Sequence, residues 1–249
     1  MITIKSPKEI AVMKEGGRIL AKIMKELTEL VEPGVTTKYL NKVAEDLVLR
    51  YGASPSFLNH DGFPAVLCVS INEEIVHCLP SDRKLKERDI ISLDLGVYFK
   101  GFHTDMALTI AVGKKIEPKV LELIKAAEDS LLLAIKKIKP GINFSEIGRV
   151  VQGRIESGGF GVVRELCGHG IGKAVHEEPQ ILNFEEKEKG LIIKEGMVFC
   201  VEPMATAGDW RIKLAKDGYG YETRDGSLSA HFEHTIAVTK NGCEVLTKV

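Results

Sequence analysis

Apolar positions along the chain switch between helical and strand spacing in a fixed order. Ser6-Pro7-Lys8-Glu9 has the form of a capping box with Pro at the first helical position. Met13, Leu20, Met24, Leu27 and Val31 then recur at helical spacing until Glu32-Pro33-Gly34 ends the run. A second amphipathic run, from about Thr37 to Arg50, stops at Gly52, and a loop rich in Gly, Pro and Ser leads into apolar segments of strand length. The order restarts at Glu117. A helix is predicted from about Pro118 to Lys137, Lys139-Pro140-Gly141 breaks it, and a further helix of roughly a dozen residues closes at Gly158-Gly159.

An internal duplication should hold one offset through several features. Pro33-Gly34 and Pro140-Gly141 are 107 residues apart, and Leu85-Lys86-Glu87-Arg88-Asp89-Ile90-Ile91-Ser92-Leu93-Asp94 lies 108 before Ile193-Lys194-Glu195-Gly196-Met197-Val198-Phe199-Cys200-Val201-Glu202. Both segments read apolar, Lys, Glu, two connecting residues, then a buried-looking strand that ends in a carboxylate. Two similar α/β halves, about 1–115 and 116–249, are therefore expected to fold on each other as a single domain, 1–249, since no linker or charge block separates them.

Charge narrows the function classes. The 249 residues carry 34 Lys+Arg against 35 Asp+Glu, which supplies no basic stripe for phosphates, so no specific nucleic acid is expected as a partner. No stretch approaches the roughly 18 consecutive apolar residues of a membrane span. The opening MITIKSPKEI also lacks the apolar run of a signal peptide, so neither export nor membrane anchoring is expected. Cys68, Cys78, Cys167, Cys200 and Cys243 are odd in number and contain no C-x-x-C pair, as expected of reduced, mostly packed thiols in the cytoplasm.

The acids carry the chemistry. Asp94 and Asp105 lie in two β-rich runs around a predicted turn near Phe99 to Gly101, and a hairpin centred there sets them opposite each other. Directly opposed residues hold their Cβ atoms about 4.5–5.5 Å apart, where two like charges are unfavourable unless a cation lies between them. The second half offers Glu202 at the end of Met197-Val198-Phe199-Cys200-Val201 and Glu233 within Ser229-Ala230-His231-Phe232-Glu233-His234-Thr235. By the repeat, Glu202 matches Asp94 and Glu233 matches Asp105, so four carboxylates converge between the halves. Such oxygen donors with one imidazole suit Mn, Fe, Co or Zn, and two ions sharing bridging carboxylates suit hydrolysis. Candidates for the imidazole are His169, flanked by glycines in Cys167-Gly168-His169-Gly170-Ile171-Gly172, together with His176 and His77. His103 and His231 lie two residues from Asp105 and Glu233, hence on the same strand faces, as possible hydrogen-bond partners of the ligands.

These residues match a family pattern. The chain resembles the type I methionine aminopeptidases of the pita-bread fold. The resemblance is carried by Ser70-Ile71-Asn72-Glu73 before His77, Asp94 with Gly101-Phe102-His103-Thr104-Asp105, and Cys167-Gly168-His169-Gly170-Ile171-Gly172. It continues through His176-Glu177-Glu178-Pro179, Glu202-Pro203-Met204, and Ser227-Leu228-Ser229-Ala230 with Glu233-His234-Thr235. It implies an α/β (α+β) pita-bread fold, two pseudo-symmetric halves whose antiparallel sheet is packed by helices. It also implies two divalent metal ions, with Asp105 and Glu233 as bridges, Asp94 on one ion, and His169 and Glu202 on the other. The implied activity is hydrolytic removal of the N-terminal methionine of nascent polypeptides with a small second residue. In the implied roles Glu202 relays the proton, His176 hydrogen-bonds the oxyanion and His77 contacts the substrate near the scissile amide. Transient association with the ribosome and a monomeric state are expected with it.

Departures from the family pattern surround the methionine pocket, which by position takes in Phe57, His60, Phe63, Cys68, Val175 and Tyr219. Family members commonly carry an aromatic pair in the loop matching His60 and Phe63, a Phe at Val175, a Gly at Cys78 and often a Trp at Tyr219. A prolidase-like peptidase would need a long additional N-terminal domain, and a type II methionine aminopeptidase a helical insertion in the second half, where only 30 residues separate Glu202 from Glu233. A metal-free binding protein of the same fold would lack the ligand set that is present here.

Overall fold

The computed structural model describes residues 2–186 and 190–249. In the first half, helices α1 (Pro7–Thr28) and α2 (Thr37–Arg50) precede strands β1 (Ser54–Pro55), β2 (Leu67–Ile71), β3 (Glu74–Val76), β4 (Ile90–Phe99) and β5 (Phe102–Ala111). Helices α3 (Pro118–Lys137) and α4 (Phe144–Ser157) open the second half. They are followed by β6 (Gly161–Val162), β7 (Gly168–Gly170), β8 (Glu177–Ile181), β9 (Val198–Val201) and β10 (Met204–Thr206), then by β11 (Ile212–Leu214), β12 (Tyr221–Thr223), β13 (Ser229–His231), β14 (Glu233–Thr239) and β15 (Gly242–Val245). The expected capping box is present: Ser6 Oγ accepts from the Glu9 N–H while a Glu9 carboxylate oxygen accepts from the Ser6 N–H at 2.8 Å.

One antiparallel sheet runs β1-β4-β5-β14-β9-β7-β8, with β2 also on β4 and β15 also on β14. Helices cover one face of it. Leu93, Leu95 and Val97 pack with Leu20, Leu27 and Leu40 of α1 and α2, and Phe199, Val201, Ile236 and Val238 pack with Leu123, Leu131 and Ile147 of α3 and α4. Side chains alternate between the faces of a strand. The apolar set facing the helices therefore leaves Asp94, Asp105, Glu202 and Glu233 on the opposite face.

The two halves repeat their hydrogen bonds as well as their elements. Gly34 N–H donates to the Leu85 carbonyl at 2.8 Å and Gly141 N–H to the Ile193 carbonyl at 2.9 Å, while Leu85 N–H returns a bond to Val35 and Ile193 N–H to Ile142, both at 2.8 Å. Isolated bridges Thr36–Lys84 and Asn143–Ile192 complete the correspondence. After each helix pair's Pro-Gly break, the chain is thus tied to the start of the next strand in the same way.

The halves join along β5 and β14, which pair through Glu233 opposite Ala107 and His234 opposite Met106. On either side of this short ladder a threonine hydroxyl replaces the backbone pairing. Thr235 Oγ1 donates to the Asp105 carbonyl (2.8 Å) and accepts from the Asp105 N–H (2.9 Å). Thr109 Oγ1 does the same for the His231 carbonyl and N–H, both at 2.8 Å. All four residues are buried, so each hydroxyl satisfies two backbone groups that water cannot reach. Replacing Thr109 by Val is expected to orphan the His231 backbone groups and lower stability by about 1–3 kcal/mol, whereas Thr109→Ser should keep most of it. Urea unfolding of both variants is the check, and equal midpoints would contradict the role of the hydroxyl.

Candidate metal centre and substrate pocket

Register sets the spacing of the acids. The β4–β5 turn is the two-residue pair Lys100-Gly101, both at positive φ (47° and 94°), as a tight hairpin of type I′ character requires. Asp94 therefore stands opposite Ala107 and Asp105 opposite Gly96. This corrects the expectation of directly opposed aspartates. They are diagonal neighbours on one face, because the turn centres between Lys100 and Gly101, one residue further along than direct opposition of Asp94 and Asp105 requires. In the second half the last recorded pair is His234 opposite Val201, and the next residues are Glu233 and Glu202.

The four acids converge. Oxygens of Asp94, Asp105 and Glu233 lie within 4.8 Å of one another. Glu202 joins from the other side: His169 Nε2 is 3.5 Å from Glu202 Oε1 and 3.9 Å from Glu233 Oε1. A second set of donors, His169, Cys200 and Glu233, meets the same 4.8 Å spacing and shares Glu233 with the first. Glycines let His169 reach this place, since a Cβ at Gly168 would stand 2.3 Å from the Cys200 carbonyl and one at Gly170 would stand 2.2 Å from the Glu178 carbonyl. Only glycine allows β7 to be squeezed between β8 and β9 with the imidazole between two flanking strands.

Burial dominates the electrostatics. Asp94, Asp105, Glu202 and Glu233 expose 6%, 3%, 9% and 3% of their surface. Desolvation, reinforced for Asp94, Glu202 and Glu233 first by repulsion from Asp105, raises their pKa values well above the carboxylate range, and burial lifts Asp105 to about 7. Burial pushes His169 down to about 3, with the neighbouring His176 adding to the shift, so its ring is neutral and able to ligate. Asp94 Oδ1 and Glu233 Oε1 are buried without a hydrogen-bond partner among the described residues. Four buried acids, a neutral imidazole and two orphaned oxygens aimed at one point fit a divalent cation and little else.

A cavity of about 570 Å³ opens above these acids. Its lining includes Phe57, His60, Phe63, Cys68, His77, His176 and Tyr219. Val175 is not on its surface and packs behind it with Phe57, Phe63 and Cys68. His60 Nε2 bonds His176 Nδ1 at 3.3 Å, and His176 in turn meets the His169 ring edge to face at 4.5 Å between centroids. His77 follows β3 at φ 59°, a left-handed conformation uncommon outside glycine, and burial lowers its pKa to about 4. Tyr219 closes the outer wall, its hydroxyl donating to the Gly62 carbonyl at 3.0 Å and its ring edge meeting Phe63.

The remaining histidines divide. His231 is buried with neither ring nitrogen bonded, and its Nε2 is 3.8 Å from Glu202 Oε2. His103 instead bonds Ser56 Oγ at 2.9 Å and packs on Tyr98, and His234 bonds Thr247. Leu166, Cys167 and Met204 line the cavity without having been singled out as pocket residues, although Cys167 and Met204 stand beside His169 and Glu202 in their motifs. Asp217 has no such signal in the sequence. Its carboxylate accepts from Leu79, Tyr219 and Gly220 N–H groups and so ties the Tyr219 turn to the segment after His77.

Residues 11–240 match the model of metallopeptidase family M24. The methionine aminopeptidase of Escherichia coli K12 is 43% identical over 250 residues, covering 99% of this chain and 94% of that protein. Methionine aminopeptidase 1 of Bacillus subtilis is 43% identical over 249 residues, the full length of both. The crystal structure of the methionine aminopeptidase from Thermotoga maritima superposes with a TM-score of 0.97 at 40% identity, each chain covered completely. With a family match across most of its length, relatives above 40% identity and a sheet that follows theirs from end to end, the chain belongs to metallopeptidase family M24.

Proposed function

We propose that this chain is a methionine aminopeptidase that hydrolyses the peptide bond after the N-terminal methionine of nascent polypeptides, preferring a small second residue. The observation that carries the reading is the convergence of Asp94, Asp105, Glu202, Glu233 and His169 at the base of a cavity with apolar walls. In this reading two divalent ions, of Co, Mn, Fe or Zn, would be held there by Asp94, Asp105, His169, Glu202 and Glu233. When bound, such ions lower the pKa of water toward neutrality and polarise the scissile carbonyl.

The chain's own groups do the rest. Burial makes Glu202 a stronger base than an exposed carboxylate, and in its ionised form it takes the proton of the attacking water and returns it to the leaving amine. His176 has its Nδ1 engaged by His60, which leaves Nε2 for the developing oxyanion. His77, kept neutral, hydrogen-bonds the substrate near the scissile amide. Phe57, Phe63, Cys68 and Tyr219 form the wall against which the methionine side chain lies, with Val175 behind them. In the same reading the chain works as a monomer that meets nascent polypeptides during transient contact with the ribosome.

Cleavage of Met-Ala-Ser, Met-Lys-Ser and Ala-Pro-Ser peptides during a metal titration tests the reading. Metal-dependent cleavage of Met-Ala-Ser alone is expected, and preference for Ala-Pro-Ser would transfer the chain to the proline peptidases. His176→Ala should lower kcat by roughly 10²–10³-fold in the same assay, as loss of an oxyanion donor does. An unchanged kcat would remove His176 from that role.

Stability against pH reports on the acids. Their folded-state pKa values are raised, so the metal-free folded chain holds more protons than the unfolded one, and stability falls as pH rises toward those values. The buried histidines act oppositely, but their contribution is complete once pH passes about 6.5, where the unfolded imidazole has lost its proton. Metal-free protein is therefore expected to lose Tm between about pH 7 and 9, and added divalent ion to restore it most at the upper end. Thermal scans with and without chelator check this, and a metal-free Tm that climbs across the window would contradict it.

A further inference from the structure

Cys200 stands out among the buried groups that the proposed mechanism does not use. Its side chain is fully buried and shares a strand face with Glu202, two residues on. Its sulfur lies within 4.8 Å of both a His169 ring nitrogen and a Glu233 oxygen. Neighbouring donors around one tetrahedral ion bound at roughly 2.0–2.3 Å stand about 3.3–3.8 Å apart, inside that limit. Glu233 Oε1, buried and without a hydrogen-bond partner, belongs to this same group of residues. The sulfur also meets Thr235 Oγ1, at 3.6 Å, and packs among Met13, Ile171, Val198, Ala237 and Leu246. The thiol is free of any disulfide.

We propose that Cys200 is a sulfur donor to the metal centre, completing with His169 and Glu233 a position that favours thiophilic divalent ions over Mn²⁺. Loading that position breaks the S–H bond, releases its proton to solvent and forms a metal–sulfur bond; no oxidant or reductant takes part. Thiolate selects Zn²⁺, Co²⁺ and Fe²⁺, whereas carboxylates alone accept Mn²⁺ readily. The proposal rests on the metal-centre reading above, which would be built of oxygen and imidazole donors without it.

Cobalt spectroscopy of the whole chain tests both. Metal-free wild type titrated with Co²⁺ is expected to show ligand-field bands in the visible together with a sulfur-to-cobalt charge-transfer band in the near ultraviolet. Cys200→Ser and Cys200→Ala should keep the ligand-field bands and lose the charge-transfer band. Zn²⁺ affinity measured by chelator competition should fall by about 10–100-fold in both variants, with Mn²⁺ affinity changing by less than about twofold. Circular dichroism identifies a variant that has failed to fold, and wild type alone still decides the matter. Ligand-field bands without charge transfer in wild type, or Zn²⁺ affinity unaltered in folded variants, would overturn the sulfur ligand. Absence of any cobalt absorption in wild type would overturn the metal centre itself.

Discussion

Four carboxylates brought out of water to one point are the constraint on which this architecture turns. Asp94, Asp105, Glu202 and Glu233 repel one another, and each has lost the solvent that stabilises its charge. Protonation relieves the conflict in the metal-free chain, while a divalent cation relieves it without neutralising the acids one by one. The same burial that makes the cluster unfavourable alone makes it a strong cation site, since opposite charges interact more strongly where water is excluded.

The fold explains how such a cluster can exist inside a chain that must also fold. Apolar residues at alternate positions of β4, β9 and β14 are anchored under the helices, and this fixes which residues face the other way. The seam between the halves is short, with threonine hydroxyls taking over from the backbone ladder on each side. One of them, Thr235, binds both backbone groups of Asp105, so the segment that joins the halves also positions an acid of the centre. Chemistry and assembly of the halves therefore use the same residues.

Much of this was legible in the sequence, for identifiable reasons. Local signals survived: the Ser6–Glu9 capping box, the Thr37–Arg50 helix and the Pro-Gly breaks are decided within a few residues, and the structure has them in place. The offset of 107 to 108 reappears in the bonds of Gly34 and Gly141. The Asp94–Asp105 register differs by one step per strand, since a two-residue turn at Phe99-Lys100 and one at Lys100-Gly101 look alike until the φ angles of Lys100 and Gly101 are known. His103 and His231 had the same argument from spacing, yet one turns to Ser56 and the other toward Glu202, a choice made by neighbours distant in sequence. The His60–His176 bond, across 116 residues, had no local signal at all.

What the cluster is for can be seen directly by diffraction. Crystals soaked in Mn²⁺ and measured at a wavelength where manganese scatters anomalously would locate the ions without reference to activity. The account requires anomalous density between Asp94, Asp105, Glu202, Glu233 and His169, at two neighbouring positions sharing Asp105 and Glu233. An empty cluster in crystals that bind manganese elsewhere would contradict it.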